Sequence, residues 1–241
     1  MSNMALVNPA NERLAGTQFS PEECWRELHG DPTTGRWSED LAVYPHQSVD
    51  GLVSEFGGKE LHAALETLPA NPEGVRCPTG AAIVTPTFFE LRELYGSIIH
   101  ATPPFFAQLD HAEWERTLIA TYHAAFDTAR AAHLTTIAVP LLGAGARGAP
   151  ISDAISVAAK ATVSWKNVNS LERPMNEQWT TDQPTAMKVR FGVQDSSTAH
   201  ALVDAIELAI DDANVGMQRD ADHVDSAFRV AEPPPKARWT L

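Results

Sequence analysis

Two asparagines and a run of glycines are the residues in this sequence best suited to gripping a polar ligand. Asn8-Pro9-Ala10-Asn11 directly follows the apolar run Met4-Ala5-Leu6-Val7. An asparagine amide offers both a donor and an acceptor and tolerates tight turns. The tetrapeptide therefore suits holding a sugar hydroxyl pair, and equally suits closing a turn with its own side chains. The second stretch is Leu141-Leu142-Gly143-Ala144-Gly145-Ala146-Arg147-Gly148. Its glycines let the main chain approach a ligand closely, and a helix starting just beyond would add partial positive charge for an anion. The stretch lacks the Gly-Lys-Ser/Thr ending of a P-loop and the glycine spacing of a dinucleotide fingerprint. A flexible glycine turn explains it as well as a phosphate site does.

Other chemistry is weaker. His46 and Asp50 stand four apart, a helical metal spacing, but Pro45 and Gly51 argue against a helix there, and three or more converging ligands are the norm. No metal and no cofactor is expected. His100 at a strand end reads as a packed histidine rather than a catalyst. Cys24 and Cys77 form neither a metal spacing nor a disulfide framework, which points to a reducing, intracellular setting, cytoplasmic or nuclear. The 18 Lys+Arg against 31 Asp+Glu leave a net charge of −13. That balance argues against gripping a nucleic-acid backbone by cationic attraction, yet allows a small anion bound by main-chain amides. No run approaches the roughly 20 apolar residues of a membrane span, and the N-terminus lacks the pattern of a secretory signal.

These candidates need elements to position them. Met4–Val7, Ala81–Val84, Ser97–His100, Thr135–Val139 and Met187–Val193 read as short strands. Leu52–Leu68 reads as a helix ended by Pro69. Trp114, Leu118, Tyr122 and Phe126 recur every four residues and mark a second helix, where helical spacing makes them core. An Ala-rich helix follows from Ser152 to about Trp165, and another runs from Ser196 to Asp211 behind a Ser/Thr cap. Strands alternating with helices imply an α/β fold: a three-layer α/β/α sandwich around a mixed, mostly parallel sheet. Ligands in such folds sit at the carboxyl ends of strands, where both candidate loops fall. Residues 17–48 and about 167–186 look like insertions in a domain spanning 1–212. Residues 213–241, with Pro233-Pro234-Pro235, read as a disordered tail.

Taken in order, five segments resemble the macrodomain family. Ala5 to Gly16 is close to its V-N-A/P-A-N-x-x-L-x-G, and Val49-Asp50-Gly51 to the V-D-G that ends its glycine loop. Arg76-Cys77-Pro78-Thr79-Gly80-Ala81-Ala82 is similar to C-x-T-G-x-A, and Ile99 to Pro104 to I-H-T-V-G-P. Val139 to Gly148 matches the phosphate loop. The resemblance implies an ADP-ribose ligand, free or on a mono-ADP-ribosylated protein. It implies that Asn8 and Ala10 line the site, that Asn11 holds the distal ribose, and that Gly143, Ala144, Gly145, Ala146, Arg147 and Gly148 wrap the diphosphate. Asp50 stands where the hydrolase branch keeps an aspartate that positions water, which with Asn11 would make an ADP-ribosyl hydrolase.

The chain departs from that pattern. Tyr44-Pro45-His46-Gln47-Ser48 replaces the glycines before V-D-G, and 32 residues separate Gly16 from Val49. Arg147 replaces an aromatic that covers the ribose, its guanidinium suited to phosphate oxygens. Gln194 stands in place of an adenine-stacking aromatic. Only seven residues precede Asn8, so an earlier strand and its adenine-binding aspartate are expected to be missing. The rival reading is a non-catalytic interaction module that keeps the fold and has lost ADP-ribose binding.

Overall fold

The computed structural model describes residues 3–16, 48–171 and 187–227. Its elements are β1 (Met4–Pro9), α1 (Val49–Glu66), β2 (Ala82–Pro86), β3 (Ser97–Ala101), α2 (His111–Ala131), β4 (Thr136–Pro140), α3 (Ile151–Leu171), β5 (Lys188–Gly192) and α4 (Ser196–Ala227). Short 3-10 turns at Phe89–Glu93 and Phe106–Gln108 complete the order; their spacing gave no periodic signal. The strands form one sheet in the order β2-β3-β1-β4-β5. β1 lies parallel to β3 and β4, β4 parallel to β5, and β2 antiparallel to β3.

That topology gathers the candidate loops on one edge. The chain leaves β1, β3 and β4 there because they are parallel, and it enters antiparallel β2 there, with Ala82 opposite Ala101. Residues 10–16, 77–81, 102–105 and 141–150 are therefore neighbours.

Strand alternation sorts side chains between two cores. Ala5, Val7, Ile99, Ala101, Ile137 and Val139 pack with Trp114, Leu118, Tyr122 and Phe126 of α2 and with Ala158 of α3. On the opposite face Ile98 and, partly buried, Leu6 meet Val53, Leu61 and Leu65 of α1. The three-layer α/β/α sandwich around a mixed, mostly parallel sheet expected from the sequence is the fold observed.

Several boundaries move, and α1 starts at Val49 rather than Leu52, so that Asp50 and Gly51, where glycine argued against a helix, lie in its capped first turn. α4 runs to Ala227, so the tail expected to be disordered from 213 is helical over its first part. No proline intervenes before Pro233, and a helix already nucleated propagates at one hydrogen bond per residue. α3 likewise passes Trp165 and reaches Leu171. The cap of α4 is Asp195, which accepts from the Thr198 amide at 2.8 Å, rather than a Ser or Thr. Most of the two insertions, together with Cys24, Tyr44 to Gln47, His46 and the triple proline, lies outside the described residues. No helix among the described residues is long and apolar enough to cross a membrane.

Candidate functional site

Asn8 has the same parity as Leu6 on β1, so its side chain leaves the sheet on the α1 face. His100, level with Asn8 on β3, shares that face with Ile98. α1 begins there: Ser48 caps it, accepting from the Gly51 amide at 2.9 Å, and Asp50 lies in its first turn. Asn8 Nδ2 donates to Asp50 Oδ1 at 2.7 Å and lies 3.3 Å from His100 Nδ1. His100 Nε2 lies 2.9 Å from Thr85 Oγ1 on β2. All four side chains are buried. Asp50, 34 positions beyond Gly16 in sequence, is thus held at the carboxyl end of β1.

The donors fix the tautomer. A carboxylate accepts only, so Asn8 presents its amide nitrogen to Asp50 and to His100 Nδ1. Nδ1 must accept, and Nε2 carries the proton toward Thr85. Burial lowers the His100 pKa from 6.5 to about 4, which keeps the ring neutral. Asn8 Oδ1 is buried and meets no donor among the described residues. Such an acceptor costs about 1–3 kcal/mol unless a ligand or water supplies a proton.

Asn11 is the last residue of the motif and sits half-buried in the turn it begins. Its Nδ2 donates to the Gly16 carbonyl at 3.1 Å, and its Oδ1 accepts from the Ala15 amide at 3.2 Å. The turn-closing role is therefore real. An amide has a second proton and a second lone pair, so one donor and one acceptor are left for a ligand. Gly16 ends the turn at φ +71°, a left-handed conformation that strains other residues, and a Cβ there would also crowd Ser54 Oγ of α1.

The 143–148 loop closes on itself. Gly148 N donates to Gly145 O at 2.9 Å and Ala149 N to Gly143 O at 3.0 Å. Among the described residues, the amides of Ala144, Gly145, Ala146 and Arg147 meet no acceptor. Gly145 and Ala146 are exposed, and a Cβ on Gly145 would meet nothing within 4 Å. These N–H groups lie just ahead of α3, on the exposed part of the loop, and main-chain N–H groups in such a position have the chemistry to bind an anion. The Arg147 side chain does not reach toward them. Its guanidinium is buried over the Phe105 ring at 4.1 Å, donates to Ala10 O at 2.9 Å and pairs with Glu12 at 3.3 Å. The role expected for its side chain at the phosphates is replaced by a tie between the two loops.

The family model for the macro domain matches residues 7–158. The chain belongs to the macro domain family. It is 31% identical over 125 residues to a macro domain-containing protein of Xanthomonas campestris pv. campestris, covering 52% of this chain and 68% of that one. Among solved structures it is similar to the Oceanobacillus iheyensis macrodomain with ADP, at TM-score 0.58 and 20% identity, covering 88% and 86% of the two chains. The Trypanosoma brucei macrodomain in complex with ADP gives TM-score 0.52 and 16% identity over 84% and 62%.

Two residues that tie these loops together carried no sequence signal for that role. Glu12 accepts from Thr79 Oγ1 at 2.8 Å as well as from Arg147, and its carbonyl accepts from the amides of Arg76 and Cys77. It joins three of the four loops. Tyr122 is fully buried core, as its helical spacing requires, yet its hydroxyl accepts the Leu142 amide at 2.9 Å and so anchors the start of the glycine loop. Gln194 is exposed just beyond β5. A separate groove of about 470 Å³ between α3 and α4, bordered by Ile155, Lys160, Leu208 and Asp212, shares no residue with the β1 and β4 loops.

Proposed function

We propose that this macro domain binds ADP-ribose between the 8–16 and 143–148 loops and removes it from mono-ADP-ribosylated protein. In this reading the amides of Ala144 to Arg147 hold the diphosphate, and the spare donor and acceptor of Asn11 take the distal ribose. Asp50 orients or deprotonates the attacking water. The observation that carries the reading is the Asp50–Asn8 contact: a carboxylate fixed at the strand end, beside the motif asparagine and an unsatisfied buried acceptor. A carboxylate so placed acts as a general base once a polarised ribose is set within its reach.

A second reading, a non-catalytic interaction module that has lost ADP-ribose binding, is favoured by one specific feature. Arg147 spends its charge on Glu12 and Asn11 spends half of its hydrogen-bonding capacity on its own turn. The two readings separate in one experiment. Wild-type chain should release ADP-ribose from a mono-ADP-ribosylated protein, and Asp50→Ala should lose turnover while keeping ADP-ribose affinity within a few fold. Absence of both turnover and ADP-ribose binding in the wild type would decide for the second reading, and binding without turnover would remove only the hydrolytic step. Full turnover in Asp50→Ala would remove Asp50 from the mechanism.

A further inference from the structure

We propose that His100 is a positioning residue, which holds the Asp50 carboxylate in place through Asn8 while Thr85 holds His100. The inference rests on the hydrolytic reading above, in which Asp50 acts on water. It goes beyond it by assigning a role to a histidine that the sequence marks only as packed.

The argument starts from the freedom of an asparagine side chain. Rotation about χ2 is broad, so one hydrogen bond to Asp50 leaves the Asn8 amide plane poorly defined. A second bond from the same nitrogen to a different element fixes it. His100 Nδ1 supplies that bond from β3, and its ring is fixed in turn by Thr85 Oγ1 on β2. The groups lie on three adjacent strands in the order β2-β3-β1 and end on the first turn of α1. Each member thus meets its neighbour across a different backbone, and the rigid sheet determines where Asp50 Oδ1 points. An apolar residue at 100 would fill the same space, but it would release Asn8 to rotate and leave one of its protons buried without an acceptor. Among the described residues, Asn8 and Thr85 meet the ring nitrogens, Asp50 lies behind Asn8, and the Cys77 thiol is 3.9 Å from the His100 carbonyl.

The test uses the full chain and a mono-ADP-ribosylated protein as substrate. His100→Leu should lower kcat at least tenfold while KM, and the Kd for ADP-ribose measured by titration, stay within about threefold. His100→Asn, whose amide oxygen can stand in the place of Nδ1, should recover most of that loss. Thr85→Val removes only the far anchor; it should lower kcat severalfold and serves if His100→Leu does not fold. Wild-type kcat in a folded His100→Leu or Thr85→Val variant would overturn the proposal, as would an equal loss of kcat and ADP-ribose affinity. If the wild type shows no turnover, the hydrolytic reading fails separately. The positioning claim is then read from the Asn8 side-chain amide by 15N NMR. Its two protons should be well dispersed and exchange-protected in the wild type and should lose that protection in His100→Leu. Unchanged amide signals would overturn it.

Discussion

His100 carries its imidazole in the sheet interior with both nitrogens engaged, and burial moves its pKa down from 6.5 to about 4. The unfolded chain therefore binds a proton that the folded chain refuses between those values. Stability from this residue is fully present above about pH 6.5 and is lost as pH falls toward 4, by about 3 kcal/mol over the whole window. Urea unfolding at pH 7 and pH 4.5 should show a larger drop for the wild type than for His100→Asn, by roughly 2 kcal/mol. Equal drops would mean that the ring is protonated in the fold or that solvent reaches it. Arg147 makes the complementary point. Its type suggested a phosphate partner, and the same guanidinium geometry that suits a phosphate also suits the Ala10 carbonyl and the Glu12 carboxylate that the fold places nearer. Residue type specifies a bonding capacity, and only the packing determines which acceptor takes it.

At the scale of elements, alternation in β1 and β3 already separates Asn8 and His100 from the Val7 and Ile99 core face, so the side of the sheet on which polar residues gather could be read from the sequence. The strands and the α2 stripe were legible for the same reason, since burial repeats with period two or 3.6. The ends of α3 and α4 were not, because a helix stops where a specific cap or proline stops it and neither follows Trp165 or Asp211 closely. The glycine loop was legible as a loop, but the different jobs of its glycines were not. Gly143 has φ +86°, and an added Cβ would press on Leu118 Cδ2 at 3.2 Å, whereas Gly145 faces open space without a positive φ. Gly143→Ala should cost about 1–3 kcal/mol in urea unfolding, and Gly145→Ala should change stability by less than about 0.5 kcal/mol. Similar costs at the two positions would contradict this division between a glycine that builds the turn and one that leaves room above it.

Across the whole molecule, a net charge of −13 sets the terms for ligand capture. An anion gains little from the overall field of such a chain, so affinity must come from local, preorganised donors. In the proposed reading those donors come from the four loops that the fold assembles on one sheet edge and ties through Glu12, Arg147 and Tyr122. The order of motifs in the sequence revealed that edge. The contact that returns Asp50 to it depends on α1 docking across the sheet, which no spacing in residues 17–48 encodes. The claim that this edge is an ADP-ribose site is tested most directly by calorimetric titration of the wild type and of Gly145→Val. The wild type should bind ADP-ribose saturably and AMP more weakly, because AMP lacks the second phosphate and the distal ribose. Gly145→Val, whose side chain would stand in the open space over the free amides, should remain folded and bind neither. An absence of heat from the wild type at millimolar ADP-ribose, or wild-type affinity in a folded Gly145→Val, would contradict the account.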